Sequence, residues 1–234
     1  MSQKEKIIDN IKVEKNEINI EDNIQDYHHR LRVFFILYFF SEDYEDDKNT
    51  NHKKIFETET RIQKLDFLLR NPDYLAHELL EIAKVEPNNA SDIKNIVKEI
   101  FQNNEPIIRR HEMERFFYGA YQDLDDVIGF LISVGLIDFS SKVSTTLKIT
   151  NKRYFITSLA IEKVEKVLPN LPSLQWYMKR CQLIKRFFGD KKGTHLKDAQ
   201  YKISEYSNTK QGDVIKDISY QVHKEFKTIY NEEL

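Results

Sequence analysis

Cysteine is almost absent from this chain of 234 residues, which holds only Cys181. A single cysteine excludes an intramolecular disulfide framework and a cysteine-rich zinc site. Such low cysteine usage is typical of proteins in a reducing compartment. The first six residues, Met-Ser-Gln-Lys-Glu-Lys, mix acids and bases and lack the apolar core of a signal peptide. We therefore expect a cytoplasmic protein.

Long apolar runs and an excess of one charge are also lacking. The most hydrophobic run, Val33 to Phe40, has eight residues, whereas a membrane-spanning helix needs about 20. The 36 basic and 38 acidic residues leave a formal net charge of −2. This balance creates no general field that would attract nucleic acid or an anionic membrane. We expect no membrane contact, and any binding of nucleic acid must come from a local basic patch.

Glycine and proline are few, at six and five residues, and helical periodicity dominates between them. The sequence predicts a mainly α fold with a small β-hairpin, built as a winged-helix-like core plus additional helices. The acidic stretch 41–54 interrupts the helical pattern, so we expect a loop there. The predicted regions are an N-terminal arm (1–26), a helical region (27–106), a winged-helix-like region (107–168) and a C-terminal helical region (169–234).

A helix with one apolar stripe is predicted near residues 58–70. The stripe consists of Ile62, Leu65, Leu68 and Leu69. Arg61, Lys64 and Arg70 lie off the stripe, which predicts a polar helix face. On that face Asp66 can pair with Arg70, four residues later, for a few tenths of a kcal/mol.

The order of elements in the region after residue 122 is typical of a winged helix. Helical spacing predicts a helix that begins at Asp123 and ends near Gly135. Two short strands, 136–139 and 146–150, follow it around a polar turn. The next helix is expected to begin at Thr150 or the residue after it.

Motifs that carry catalysis or hold a cofactor are lacking. Gly193-Thr194 has neither the upstream glycine nor the lysine of a phosphate-binding loop. His111-Glu112 resembles the start of a zincin motif but has no second histidine one helical turn later. Cys181 lies on an apolar helical stripe, where a buried thiol is inert. The sequence therefore predicts no catalytic residue, no metal and no cofactor.

A local basic patch stands out near the C-terminal region, where seven bases surround one acid, Asp190. The bases are Lys179, Arg180, Lys185, Arg186, Lys191, Lys192 and Lys197. Clustered in space, they could neutralise phosphates and bind nucleic acid with little sequence preference. Two other interpretations stay open: a complement to an acidic protein partner, and a solvated helix face.

Two segments carry a resemblance to a known family. The first is Lys64-Leu-Asp-Phe-Leu-Leu-Arg70, followed by Pro72 and Tyr74-Leu75. The second is Arg115-Phe-Phe-Tyr-Gly119, followed at the expected spacing by Gly135-Leu136 and by a strand end at Leu147–Thr150. Together these motifs resemble the middle component of bacterial ABC-three-component, or Lamassu-type, defence systems. The similarity covers roughly residues 28–190.

The resemblance implies a non-enzymatic accessory subunit. In such systems an ABC-type ATPase of the structural-maintenance-of-chromosomes (SMC) class senses foreign nucleic acid, an effector subunit kills or degrades, and the middle component links the two. Nucleic acid would then be contacted mainly through the ATPase. The resemblance makes the following residues candidates for partner binding or for an internal network: Arg61, Lys64, Arg70, Arg115, Tyr118 and Gly119.

The alternative function is a winged-helix transcriptional regulator that reads duplex DNA with the helix at 123–134 and the wing at 136–150. Asp123, Asp125 and Asp126 lie near the start of that helix. Because their charges repel phosphates, we favour protein docking over DNA reading.

Overall fold

The computed structural model describes residues 26–102, 115–116, 119–120, 123–143 and 149–234. Over these ranges the protein is mainly α-helical with a small antiparallel sheet, as the sequence predicts. The predicted N-terminal arm lies outside the described residues, apart from its last residue. Within the described ranges, no helix combines the length and the apolar character that a bilayer crossing requires.

Most of the chain between the strands is helical. The helices are α1 (26–40), α2 (Glu59–Arg70), α3 (Pro72–Val85), α4 (Pro87–Gln102), α5 (Asp125–Ser133), α6 (Ser158–Glu162), α7 (Pro172–Phe188), α8 (Gly193–Lys202), α9 (Ser204–Ser207) and α10 (Ser219–Tyr230). A π-helical turn (Lys163–Val167) and a 3₁₀ turn (Leu168–Asn170) connect α6 to α7. The strands are β1 (Glu42–Asp43), β2 (His52–Glu57), β3 (Arg115–Phe116), β4 (Gly119–Ala120), β5 (Ile137–Val143) and β6 (Ile149–Thr157).

The main sheet has the order β1-β2-β6-β5, and every neighbouring pair is antiparallel. The predicted hairpin is present as β5 and β6, between α5 and α6. It belongs to a larger sheet because β2 pairs with the other edge of β6, with Phe56 opposite Tyr154. Tyr154 also lies opposite Phe139 of β5, so aromatic residues from three strands pack together. Strands β3 and β4 form a separate pair.

Two local predictions are wrong. The stretch 41–54, predicted as a loop, contains β1 and the start of β2. Strand β2 pairs with β6, which lies about a hundred positions later in the sequence. The local acidic composition therefore does not indicate a strand. The helix expected from Thr150 begins only at Ser158, because β6 continues to Thr157. Thr157 is the true cap, and its Oγ1 accepts a hydrogen bond from the Ala160 N–H at 3.2 Å.

Helices α2 and α3 form the centre of the core. Pro72 separates them as expected: α2 ends at Arg70 and Pro72 occupies the first turn of α3, where a proline costs no hydrogen bond. Phe67 of α2 and Tyr74 of α3 meet edge to face at 4.9 Å between ring centroids. Tyr206 of α9 closes the cluster at 5.3 Å from Phe67.

The C-terminal part of the chain is fastened to α3 and α4 by polar contacts. The Tyr74 hydroxyl donates to the Lys216 carbonyl at 2.9 Å, and the Ile218 N–H donates to Asp73 Oδ2 at 2.8 Å. The Tyr230 hydroxyl donates to the Ala90 carbonyl at 2.7 Å. Burial raises the pKa of the Asp73 carboxyl to about 6, although the Ile218 N–H favours its charged form.

The raised pKa of Asp73 predicts a pH dependence of stability. The folded value of about 6 lies above the ordinary value of about 3.9, so between these values the folded state binds more protons than the unfolded state. The free energy of unfolding therefore falls as the pH rises from about 4 to 7. We expect Asp73→Asn to remove this component, which is on the order of 2–3 kcal/mol.

Urea denaturation of both proteins from pH 4 to 7.5 measures the effect as the difference between their unfolding free energies. Asp213→Asn, at an exposed carboxylate in the same C-terminal part, should follow the wild-type profile. A difference between wild type and Asp73→Asn that stays constant with pH would contradict the prediction.

Candidate partner-binding surfaces

The segment that carries the family resemblance lies inside the protein. Lys64, Asp66 and Arg70 are only 2%, 2% and 5% exposed. The prediction of a polar outer face for α2 is therefore wrong. A single apolar stripe predicts one covered face, but α3, α7 and α8 pack against α2, and α1 reaches it through Arg32. Arg70 thus belongs to an internal network, and Lys64 makes a separate internal contact.

The network is centred on the Asp66 carboxylate. Arg32 Nε of α1 donates to Asp66 Oδ1 at 2.9 Å, and Arg70 Nη1 lies 3.8 Å from Oδ2. Burial alone would raise the pKa of Asp66, but the charges of Arg32 and Arg70 outweigh burial and lower it. The predicted pair of Asp66 and Arg70 is confirmed, in the core instead of on the surface.

Lys64, two residues before Asp66 in α2, has a different environment. Its Nζ donates to the Tyr206 hydroxyl at 3.2 Å and lies 5.6 Å from the centroid of that ring. A buried ammonium is stable only with such partners, because transfer out of water penalises its charge. Lys64 therefore ties α2 to α9 and is not available on the surface.

Of the three predicted residues on α2, Arg61 is the one that reaches the surface. It is half-buried at the start of α2, where its guanidinium lies 5.3 Å from the centre of the Phe56 ring and donates to the Gly189 carbonyl. Arg115 and Gly119 lie in β3 and β4, paired with Ala120 and Phe116. Tyr118 lies outside the described residues, so its predicted role stays a prediction.

A cleft of about 500 Å³ opens beside Arg61, between the β2–α2 connection and the α7–α8 connection. Gly193 allows the two connections to approach, since a Cβ there would lie 3.0 Å from the Arg61 backbone nitrogen. The lining residues include three bases and three acids. They are Arg61, Lys191 and Lys192, and Glu42, Glu57 and Asp190. The cleft thus joins Arg61, one of the candidate partner-binding residues, to two residues of the predicted basic patch.

The other predicted bases divide between surface and core. Lys179, Lys185 and Lys197 are exposed on α7 and α8. Arg186 is exposed too, but it pairs with Asp92 of α4 at 2.5 Å. Arg180 is buried against the Trp176 ring at 5.2 Å, and burial lowers its pKa to about 10. The prediction of a seven-residue patch is therefore wrong for Arg180, because the patch was defined by sequence position and not by helix face.

Of the three bases in the described residues of the β5–β6 hairpin, Lys142 is exposed, whereas Lys152 and Arg153 have polar partners. Lys152 pairs with Glu59, and Arg153 donates to the Ser140 hydroxyl at 3.2 Å. Helix α5 contains no base, and its exposed first turn carries Asp125 and Asp126. The acids of α5 repel a phosphate backbone, so the described residues of this helix lack the basic surface that DNA binding uses.

A second surface is apolar. Ile132 and Val134 at the end of α5 and Leu159 at the start of α6 are all exposed. Gly135 lies next to Leu159, since a Cβ at this position would be in ordinary van der Waals contact with Leu159 Cδ2, at 3.7 Å. Its φ of +73° is one that glycine adopts easily and larger residues rarely do. Clustered exposed apolar side chains are typical of protein contact sites.

No protein-family model, curated protein or solved structure matches this chain. The assignment of the candidate surfaces therefore depends on geometry and on the sequence resemblance.

Among the residues considered for chemical reactivity, Cys181 is fully buried. Burial raises the pKa of its thiol, in agreement with an inert thiol. The residues His111 and Glu112 lie outside the described ranges.

The Asp66 network gives a stability prediction. Asp66→Asn removes the buried carboxylate that Arg32 and Arg70 share, which should lower the free energy of unfolding at pH 7 by about 3–5 kcal/mol. Asp26→Asn is the matched control, because Asp26 pairs with Arg30 at 3.8 Å and is 67% exposed. Asp26→Asn should lower the free energy of unfolding by less than about 1 kcal/mol. Chemical denaturation measures both, and equal losses would contradict a central role for Asp66.

Proposed function

We propose that this chain is a non-catalytic accessory subunit of a bacterial anti-phage defence complex, in which it links an SMC-like ABC ATPase to an effector subunit. The proposal rests on the resemblance of Lys64–Arg70 and Arg115–Gly119 to the middle component of Lamassu-type systems. Burial of Lys64, Asp66 and Arg70 supports it, because a motif at the centre of the core is one on which the fold depends. The complex works in the cytoplasm.

The observation that carries the docking role is the cleft beside Arg61. It brings Arg61 together with Lys191 and Lys192, and it also presents Glu42, Glu57 and Asp190. A phosphate backbone would meet repulsion from the three carboxylates. A protein segment with charges of both signs can match such a lining, and charge complementarity of this kind sets orientation and specificity. The mixed lining therefore favours a protein partner over nucleic acid.

The apolar surface supports a second contact. Ile132, Val134 and Leu159 belong to the α5–α6 region, whereas the cleft is built from α2, α7 and α8 connections. One surface is charged and the other apolar, so they suit partners of different chemistry. A subunit that links two proteins needs two such surfaces. Nucleic acid is then engaged by the ATPase and not by this chain.

Charge reversal beside the cleft tests the proposal. Lys185→Glu with Lys192→Glu changes two exposed side chains and leaves the core intact. Affinity purification of the tagged variant from its native host, followed by quantitative mass spectrometry, should recover at least about tenfold less coiled-coil ATPase than wild type. Lys210→Glu with Lys216→Glu makes the same charge change at exposed positions elsewhere and should recover wild-type amounts.

Recovery of a coiled-coil ATPase and a third subunit with the wild-type chain is the expected result. A wild-type chain that purifies alone and shifts duplex DNA in a gel would overturn the linker role in favour of the regulator. Wild-type recovery with the Lys185 and Lys192 variant would keep the linker role and remove the cleft from it.

A further inference from the structure

Three potential metal ligands meet between α3 and α10. His77 and Glu81 lie one helical turn apart on α3, so their side chains share a face. Glu225 of α10 approaches this face, with its Oε2 3.0 Å from His77 Nδ1. One ligand atom from each residue lies within 4.8 Å of the other two. Three donors this close can converge on one ion.

The donor set matches zinc. Zinc accepts imidazole nitrogen and carboxylate oxygen, and sites with three protein ligands commonly take water as the fourth. His77 is partly buried, with 14% of its side chain exposed, whereas Glu225 and Glu81 are 27% and 49% exposed. An ion would thus have a fixed imidazole on the inner side and room for water on the outer side.

Lys84 shows that this position already holds a positive charge. Its Nζ pairs with Glu81 and lies 3.9 Å from Glu225 Oε2. The two carboxylates therefore face one cation, the ammonium group. A divalent ion carries twice that charge and forms a coordination bond with the ring nitrogen lone pair, whereas an ammonium group can only donate a hydrogen bond to it.

We propose that His77, Glu81 and Glu225 bind Zn²⁺, with water completing the coordination and Lys84 displaced from the carboxylates. The ion would join α10 to α3, next to the contacts that Tyr74 makes with Lys216 and Asp73 with Ile218. This site is independent of the proposed linker function. Sequence reasoning predicted no metal because His77 and Glu225 are 148 positions apart and form no local motif.

Zinc titration of metal-stripped, full-length protein against a chromogenic chelator tests the site. We expect one Zn²⁺ per chain and a higher melting temperature when zinc is bound, since a ligand that binds only the folded state stabilises it. His77→Gln and Glu225→Gln should each weaken binding by more than about tenfold. Glu232→Gln is the matched control, because Glu232 lies just beyond α10 and pairs with Lys94 and Lys98 outside the cluster.

Lys84→Met gives a test that does not depend on loss of binding. Removal of the competing ammonium should tighten zinc binding severalfold if the ion and Lys84 share the same carboxylates. The proposal is overturned if wild type and Lys84→Met both show no saturable binding. It is equally overturned if zinc binds but His77→Gln and Glu225→Gln bind as tightly as wild type.

Discussion

The attraction between the buried Asp66 carboxylate and the guanidinium groups of Arg32 and Arg70 sets the arrangement of the core. Burial of a carboxylate is unfavourable, and only close positive charges make its charged form stable in this position. This requirement fixes α1 against α2, because Arg32 must reach Asp66 from one side. Helices α3, α7 and α8 then pack around a correctly placed α2.

Local periodicity predicted the helices that begin and end with clear signals, such as α2 before Pro72 and α5 before Gly135. Local periodicity failed where a strand or helix packs against a segment that is far away in sequence. Strand β2 pairs with β6 about a hundred positions later, and the polar side of α2 is covered by other helices. For the same reason, no sequence pattern placed Arg61 beside Lys191 and Lys192, or separated Arg180 from its exposed neighbours. Charge and spacing identify residue types, but tertiary packing decides which of them face solvent.

Helix α2 connects the interior network to the cleft. Arg61 in its first turn lines the cleft, and Arg70 at its end belongs to the network around Asp66. Twelve residues span about 18 Å at 1.5 Å per residue. Because charged groups in the core hold this helix at one end, a partner that bound in the cleft would meet an arginine whose backbone has a fixed position. A pre-organised contact of this kind loses less conformational entropy on binding than a flexible one.

The contacts of the C-terminal part with α3 and α4 also affect how the protein is made. Tyr230 reaches back 140 positions to Ala90, and Tyr74 is covered by a segment 142 positions later. During synthesis, α3 and α4 therefore leave the ribosome long before the chain that covers them exists. Their apolar faces have no native partner in that interval, and exposed apolar surface on an unfinished chain promotes aggregation. Release of the chain before α10 has emerged is therefore expected to favour aggregation over folding.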